Sequence, residues 1–207
     1  MKTAYLFLIA CLSVIIPQLS FAQTSWRGTT STSWTNSSNW TAGIPTAAID
    51  AIIGDANFTG TNQPTISRTA NCKSLTLGGG TKASTLTINS STTVALNIQI
   101  NGNGAITHSA SSLTVKGNWI NNGTYTATGT GSTVIFAGTT QSLQGSVVTT
   151  FRRLTINAGS VTTLNTNVTV SGSSSRTTVK GTLDPGESPT YKLTGTIFTV
   201  NANARIK

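Results

Sequence analysis

The stretch LTVKGNWINNGTYTATGTGSTVIFAGTTQSLQGSVVTTFRRLTIN, Leu113 to Asn157, decides the fold. An apolar-Thr-apolar triplet, Leu113-Thr114-Val115, opens it, and a second, Leu154-Thr155-Ile156, nearly closes it. Between them lie an Asn-Asn-Gly turn (Asn121, Asn122, Gly123), a Thr-rich run from Thr124 to Thr128, and the apolar run Thr133-Val134-Ile135-Phe136. Alternation with period two, cut by Gly and Asn every few residues, marks short strands and tight turns and excludes helices. No residue in the stretch suggests a reaction centre.

The triplet recurs outward from there, at Leu75-Thr76-Leu77, Leu86-Thr87-Ile88 and Val168-Thr169-Val170. In a strand the two outer residues face one side and the central Thr the other. A five-residue form ends in glycine: Ile98 to Gly102, Leu113 to Gly117 and Val168 to Gly172, with shorter echoes at Val179-Lys180-Gly181 and Leu193-Thr194-Gly195. These glycines are expected at corners where the backbone needs positive φ. Threonine makes up about a fifth of the chain, which suits solvent-facing strand positions. The irregular spacing of the triplets points to degenerate coils, not a strict-period array. The expected fold is all-β, a right-handed parallel β-helix in which each coil pairs with the next, and the alternative is an antiparallel β-sandwich.

The amino terminus reads as an export signal. Lys2 gives it a positive start, Tyr5 to Ile16 an apolar run, Pro17 a break, and Ser20-Phe21-Ala22 small residues at a cleavage site. Residues 1–22 are therefore expected to be removed, leaving a mature chain from Gln23 that is secreted or held at the cell surface. The apolar run is shorter than the roughly 20 residues a span requires, so no transmembrane segment is expected in the mature chain. Leu8-Ile9-Ala10-Cys11 also fits a lipobox, but the apolar run continues past Cys11.

Residues 23–63 differ in character from the repeats and are expected to form an amino-terminal cap. Trp26, Trp34 and Trp40 recur there among Ser, Thr and Asn. They are the candidate glycan-stacking residues; the structural reading is that they cover the open end of a β-body. Residues 64–207 carry the repeats, and the sequence stops inside repeat-like residues, which suggests truncation at the carboxy end.

Charge is sparse and one-sided: 13 Lys and Arg against 4 Asp and Glu, a formal +9 that drops to about +8 once Lys2 is removed. Such a surface tolerates anionic partners, with extracellular or envelope polysaccharide the partner class expected. No helix-turn-helix, zinc-ligand spacing or aromatic RNA-binding motif is present, so nucleic acid is not an expected partner. Arg152-Arg153 is the one adjacent basic pair, and in a strand its members would point to opposite faces. The chain is expected to be monomeric or part of a longer surface protein.

The segments W-x-G-x(5)-W-x(5)-W, GIPTAAIDAII and NCKSLTL resemble the amino-terminal portion of large exported bacterial surface proteins. The stretch GNWINNGTYTATGTGSTVIFAGTTQSLQGSVVTTFRRLTIN is similar to their β-helical repeat. Many such proteins are adhesin-like and leave the cell by type IX secretion. The resemblance implies a structural module with no catalytic family and no particular ligand.

Catalytic chemistry finds no foothold. Glycoside hydrolysis needs two opposed carboxylates, and the repeat region has only Asp184 and Glu187, in the turn sequence DPGESP. No acidic cluster suits calcium, and Gly78-Gly79-Gly80 lacks the Lys-Ser/Thr of a phosphate loop. His108 has no recognisable Ser or Asp partner, and Cys72, the lone cysteine after cleavage, reads as a small buried hydrophobe. No enzyme activity, cofactor or metal is expected. Thr124, Thr126, Thr128 and Thr130 alternate as in ice-binding solenoids, but that function needs the Thr pair at one place on every coil. Asn-x-Ser/Thr patterns, as at Asn36, Asn122 and Asn167, are expected by chance in so Thr-rich a chain.

Overall fold

A computed structural model describes residues 22–187 and 191–207, so the expected export signal lies outside the described residues. A short strand, β1 (Gln23–Ser25), precedes the first coil. That coil runs β2 (Asp50–Ile53), β3 (Thr65–Ile66), β4 (Ala70–Cys72), and the second β5 (Leu75–Leu77), β6 (Ser84–Ile88), β7 (Thr92–Val94). The third is β8 (Ile98–Ile100), β9 (Gly104–His108), β10 (Ser112–Val115), and the fourth β11 (Trp119–Asn121), β12 (Thr124–Ala127), β13 (Thr133–Phe136). The fifth is β14 (Thr140–Gln144), β15 (Thr149–Phe151), β16 (Arg153–Ile156), and the sixth β17 (Val161–Leu164), β18 (Val168–Val170), β19 (Arg176–Val179). The seventh is β20 (Thr182–Asp184), β21 (Leu193–Gly195), β22 (Phe198–Val200), after which β23 (Arg205–Ile206) begins another turn.

The coils stack into a parallel β-solenoid of about seven turns. One face is the sheet β1-β2-β5-β8-β11-β14-β17-β20-β23, and a second is β22-β19-β16-β13-β10-β7-β4. The third is interrupted: β3, β6, β9 and β12 form one sheet, and β15, β18 and β21 another. Every pairing between named strands is parallel, which rules out the sandwich. An isolated antiparallel bridge joins Trp26 to Trp40. Because β2 stacks beneath β5, the first coil starts at Asp50, ahead of the boundary expected near residue 63.

The triplets work as their alternation requires. Leu113, Val115, Leu154 and Ile156 are all buried, while Thr114 and Thr155 lie outside the core. Stacking turns each inward position into a column along the axis. On the second face Cys72, Val94, Val115, Phe136, Ile156, Val179 and Val200 follow one another through seven strands. On the first face Leu75, Ile98, Trp119, Leu143 and Leu164 do the same, giving a coil of 21 to 24 residues. Each fully buried Leu, Ile or Val contributes about 1.5–3 kcal/mol relative to exposure. With about 4.8 Å between coils, each such side chain is packed mainly by its column neighbours.

The irregular triplet spacing now has a cause. Leu75-Thr76-Leu77 lies on the first face, Leu113-Thr114-Val115 and Leu154-Thr155-Ile156 on the second, and Leu86-Thr87-Ile88 and Val168-Thr169-Val170 on the third. The glycines also divide. Gly172 has φ +103, as a corner requires. Gly117 does not fall in the positive-φ set; it is needed because a Cβ there would sit 2.5 Å from the Leu96 carbonyl carbon of the coil before.

Candidate binding surface

The three amino-terminal tryptophans come together, but below the surface. Trp26, Trp34 and Trp40 are at most 2% exposed, with Trp40 edge-on to Trp26 at 5.0 Å and to Trp34 at 4.7 Å. Trp26 Nε1 donates to the Asn62 carbonyl and Trp40 Nε1 to the Trp34 carbonyl, both at 2.8 Å. The segment is a partial coil laid over the first: Trp26 N donates to Ile52 O, and Trp34 N to Thr65 O. Its polar centre is Asn39, buried and fully bonded. Asn39 Oδ1 accepts from Thr30 N and Ser31 N, and Nδ2 donates to Ser31 Oγ and Ser33 O. Sugar stacking needs an open ring face, and none of these rings offers one, so the glycan-stacking expectation for Trp26, Trp34 and Trp40 gives way to a packed cap. Asn39 escapes sequence reasoning because one Asn among many carries no signal until Thr30, Ser31 and Ser33 are folded around it.

The titratable groups singled out in the sequence are dispersed. Cys72 is buried, and burial, with Asp50 nearby, pushes its thiol up to about 12. His108 is buried between Tyr125 and Ser111, with Nδ1 2.8 Å from Tyr125 Oη and Nε2 3.1 Å from Ser111 Oγ. Burial lowers its pKa to about 4, so it sits neutral in the core. Asp184 Oδ1 accepts from Gly186 N at 3.0 Å, the Asx turn expected of Asp-Pro-Gly. Its other oxygen meets Lys207 Nζ at 3.0 Å, and these bonds hold its carboxyl below the usual range. Among the described residues no three His, Cys, Asp or Glu side chains gather as a metal site would require.

Threonine columns line both sheets of the third face. Thr65, Thr87, Thr107 and Thr126 are register neighbours on β3, β6, β9 and β12, and Thr150, Thr169 and Thr194 on β15, β18 and β21. A second outward Thr completes the pair in β6 (Thr85) and β12 (Thr124), but β9 has Ala105 there. The doublet expected of an ice-binding face is thus interrupted.

Stacking also gathers charge that is scattered in the sequence. On the second face Arg153 of β16 is the direct register neighbour of Arg176 of β19. Down the middle of that face run Thr93, Thr114, Ile135, Thr155, Thr178 and Thr199. Along its far margin Lys116 and Lys180 continue the ladder, donating their backbone N–H groups to Val94 and Ile156. Arg152 and Arg153 do not oppose each other across a strand. Arg152 is a corner residue between β15 and β16, and both side chains lie outside the core between inward Phe151 and Leu154. Arg152 Nη1 donates to Ser173 O and Oγ, Nη2 to Ala127 O, and Arg153 Nε to Ser174 O. Arg152 thereby bridges the interruption between β12 and β15. Asp50 and Asp184 lie on the first face, and Asp55 and Glu187 on corners leaving it.

No family model matches the chain, and neither a curated protein nor a solved structure shows significant similarity to it. Among the described residues no helix is long and apolar enough to cross a membrane.

Proposed function

We propose that the chain is a non-catalytic, exported structural module of adhesin-like character, which projects or presents at a bacterial cell surface. The observation that carries this reading is the unbroken buried column of six strands from Cys72 to Val179 in a body whose first coil is covered by an indole-filled cap. Such a body behaves as an elongated spacer whose length scales with coil number. The sequence resemblance supports the surface location and suggests a type IX route. Protease shaving of intact cells tests the reading: an epitope placed in the exposed Ala158-Gly159 turn should be removed without lysis. Retention inside the cell would overturn it. A second reading, polysaccharide binding, is favoured by the cationic second face and not by the tryptophans.

A further inference from the structure

The second face carries a one-sided electrostatic surface, and we infer that it is a docking track for a linear acidic polysaccharide lying along the solenoid axis. Arg153 and Arg176 form one margin and stand one coil apart, about 4.8 Å. Lys180 stands on the opposite margin four residues from Arg176, about 13 Å at the rise of an extended strand. Lys116 lies on that margin three coils earlier, about 14 Å along the axis. Between the margins the floor is Thr114, Ile135, Thr155 and Thr178. The geometry is a strip one strand wide, edged with cations and floored mainly by hydroxyl and methyl groups.

Charge placement gives the strip a direction of preference. The two ion pairs among the described residues, Lys73–Asp50 and Lys207–Asp184, do not involve Arg153, Arg176, Lys180 or Lys116. No carboxylate occupies an outward position of this sheet, so its field is not neutralised locally. Arginine pairs with carboxylate or sulfate through two parallel bonds, and the threonine hydroxyls can exchange hydrogen bonds with ring hydroxyls. A single extended glycan chain fits the width between the margins. Single-stranded nucleic acid fits less well, because its bases need aromatic platforms and the outward positions of this sheet hold none. The inference goes beyond the spacer reading: a surface module can project without this track, so each fails separately.

Binding of residues 23–207 to immobilised polygalacturonate, with uncharged dextran as the blank, tests the track. Arg176→Ser/Lys180→Ser removes two exposed cations from it, and Lys192→Ser/Arg205→Ser removes two from elsewhere. The first double variant should lose about tenfold in affinity at low salt, the second less than about twofold, and binding should weaken as salt screens it. Lys116→Glu, three coils from Lys180, repeats the test should the first variant melt early. Equal losses in both double variants would reduce the attraction to net charge and overturn the track. Absence of binding to polygalacturonate and to a sulfated galactan would also overturn it. Single-stranded DNA or anionic vesicles bound more tightly, with the same dependence on Arg176 and Lys180, would replace the polysaccharide with that partner.

Discussion

The two ends of the solenoid treat the same interior columns differently. At the amino-terminal end three indoles and a fully bonded asparagine fill the space above the first coil before solvent reaches it. At the carboxy-terminal side of the described residues the same columns are exposed. Val179 is fully buried, yet Val200, the next residue in its column, is 45% exposed. Phe198, stacked on buried Thr177, is 44% exposed, and Ile206, stacked on buried Leu183, is 50% exposed. The registers match, and in the Val179/Val200 and Leu183/Ile206 pairs so does the aliphatic character; what differs is the covering coil. Burial here belongs to a position's neighbours along the axis more than to the side chain itself, as expected of a body held together by nearest-neighbour interfaces.

The strongest way to break that comparison is one substitution made twice in one column. Leu154, Thr177 and Phe198 are successive neighbours. Leu154→Asp strands a charge in the core and should cost more than about 4 kcal/mol, enough to melt the adjoining coils. Phe198→Asp should cost about 1 kcal/mol or less, because its site already meets water. Urea denaturation of both variants measures the contrast; equal losses would show that the open end is covered in solution.

The cap gives the next largest effect. Trp40→Ala removes the ring that touches both other indoles and should cost about 3–5 kcal/mol. Hydrogen exchange should show protection lost first in β1, β2 and β3 and retained in β16 and β19. Uniform loss along the body would argue against a local cap.

Acid probes the middle of the body. His108 titrates near 4 when folded and near 6.5 when free, so below pH 6.5 the unfolded chain binds the proton that the folded chain refuses. Its contribution is complete above about pH 6.5, falls as pH drops toward 4, and levels off below that. The total is about 3 kcal/mol. Urea midpoints across this range should fall in the parent and stay flatter in His108→Leu. The smallest effect is expected at the open end, where Phe198→Ala should cost no more than about 1 kcal/mol by urea denaturation.

Local alternation made the core legible in the sequence, since Leu113, Val115, Leu154 and Ile156 can face inward together only in a strand. Which face each triplet joins was not legible. That depends on corner lengths, and Leu75-Thr76-Leu77 looks like Leu154-Thr155-Ile156 although they lie on different sheets. The tryptophan cluster was visible, but its burial depends on Asn39 and on the strands beneath. The cationic face was hidden for a related reason. Arg153 and Arg176 become neighbours only when an intervening coil closes, and Arg152 leaves the strand pattern because it occupies a corner.

The interruption in the third face has a mechanical consequence. Interstrand hydrogen bonds point along the axis, so tension applied end to end pulls them apart one rung at a time. Between the fourth and fifth coils two faces carry continuous ladders, β11 to β14 and β13 to β16. On the third, β12 and β15 touch without ladder pairing, through the Tyr125 and Phe151 rings and the Arg152 guanidinium reaching Ala127. A rod fastened on two sides and loosely tied on the third bends by opening toward the weak side. Within the body, a load along the axis would therefore find a built-in hinge between the fourth and fifth coils.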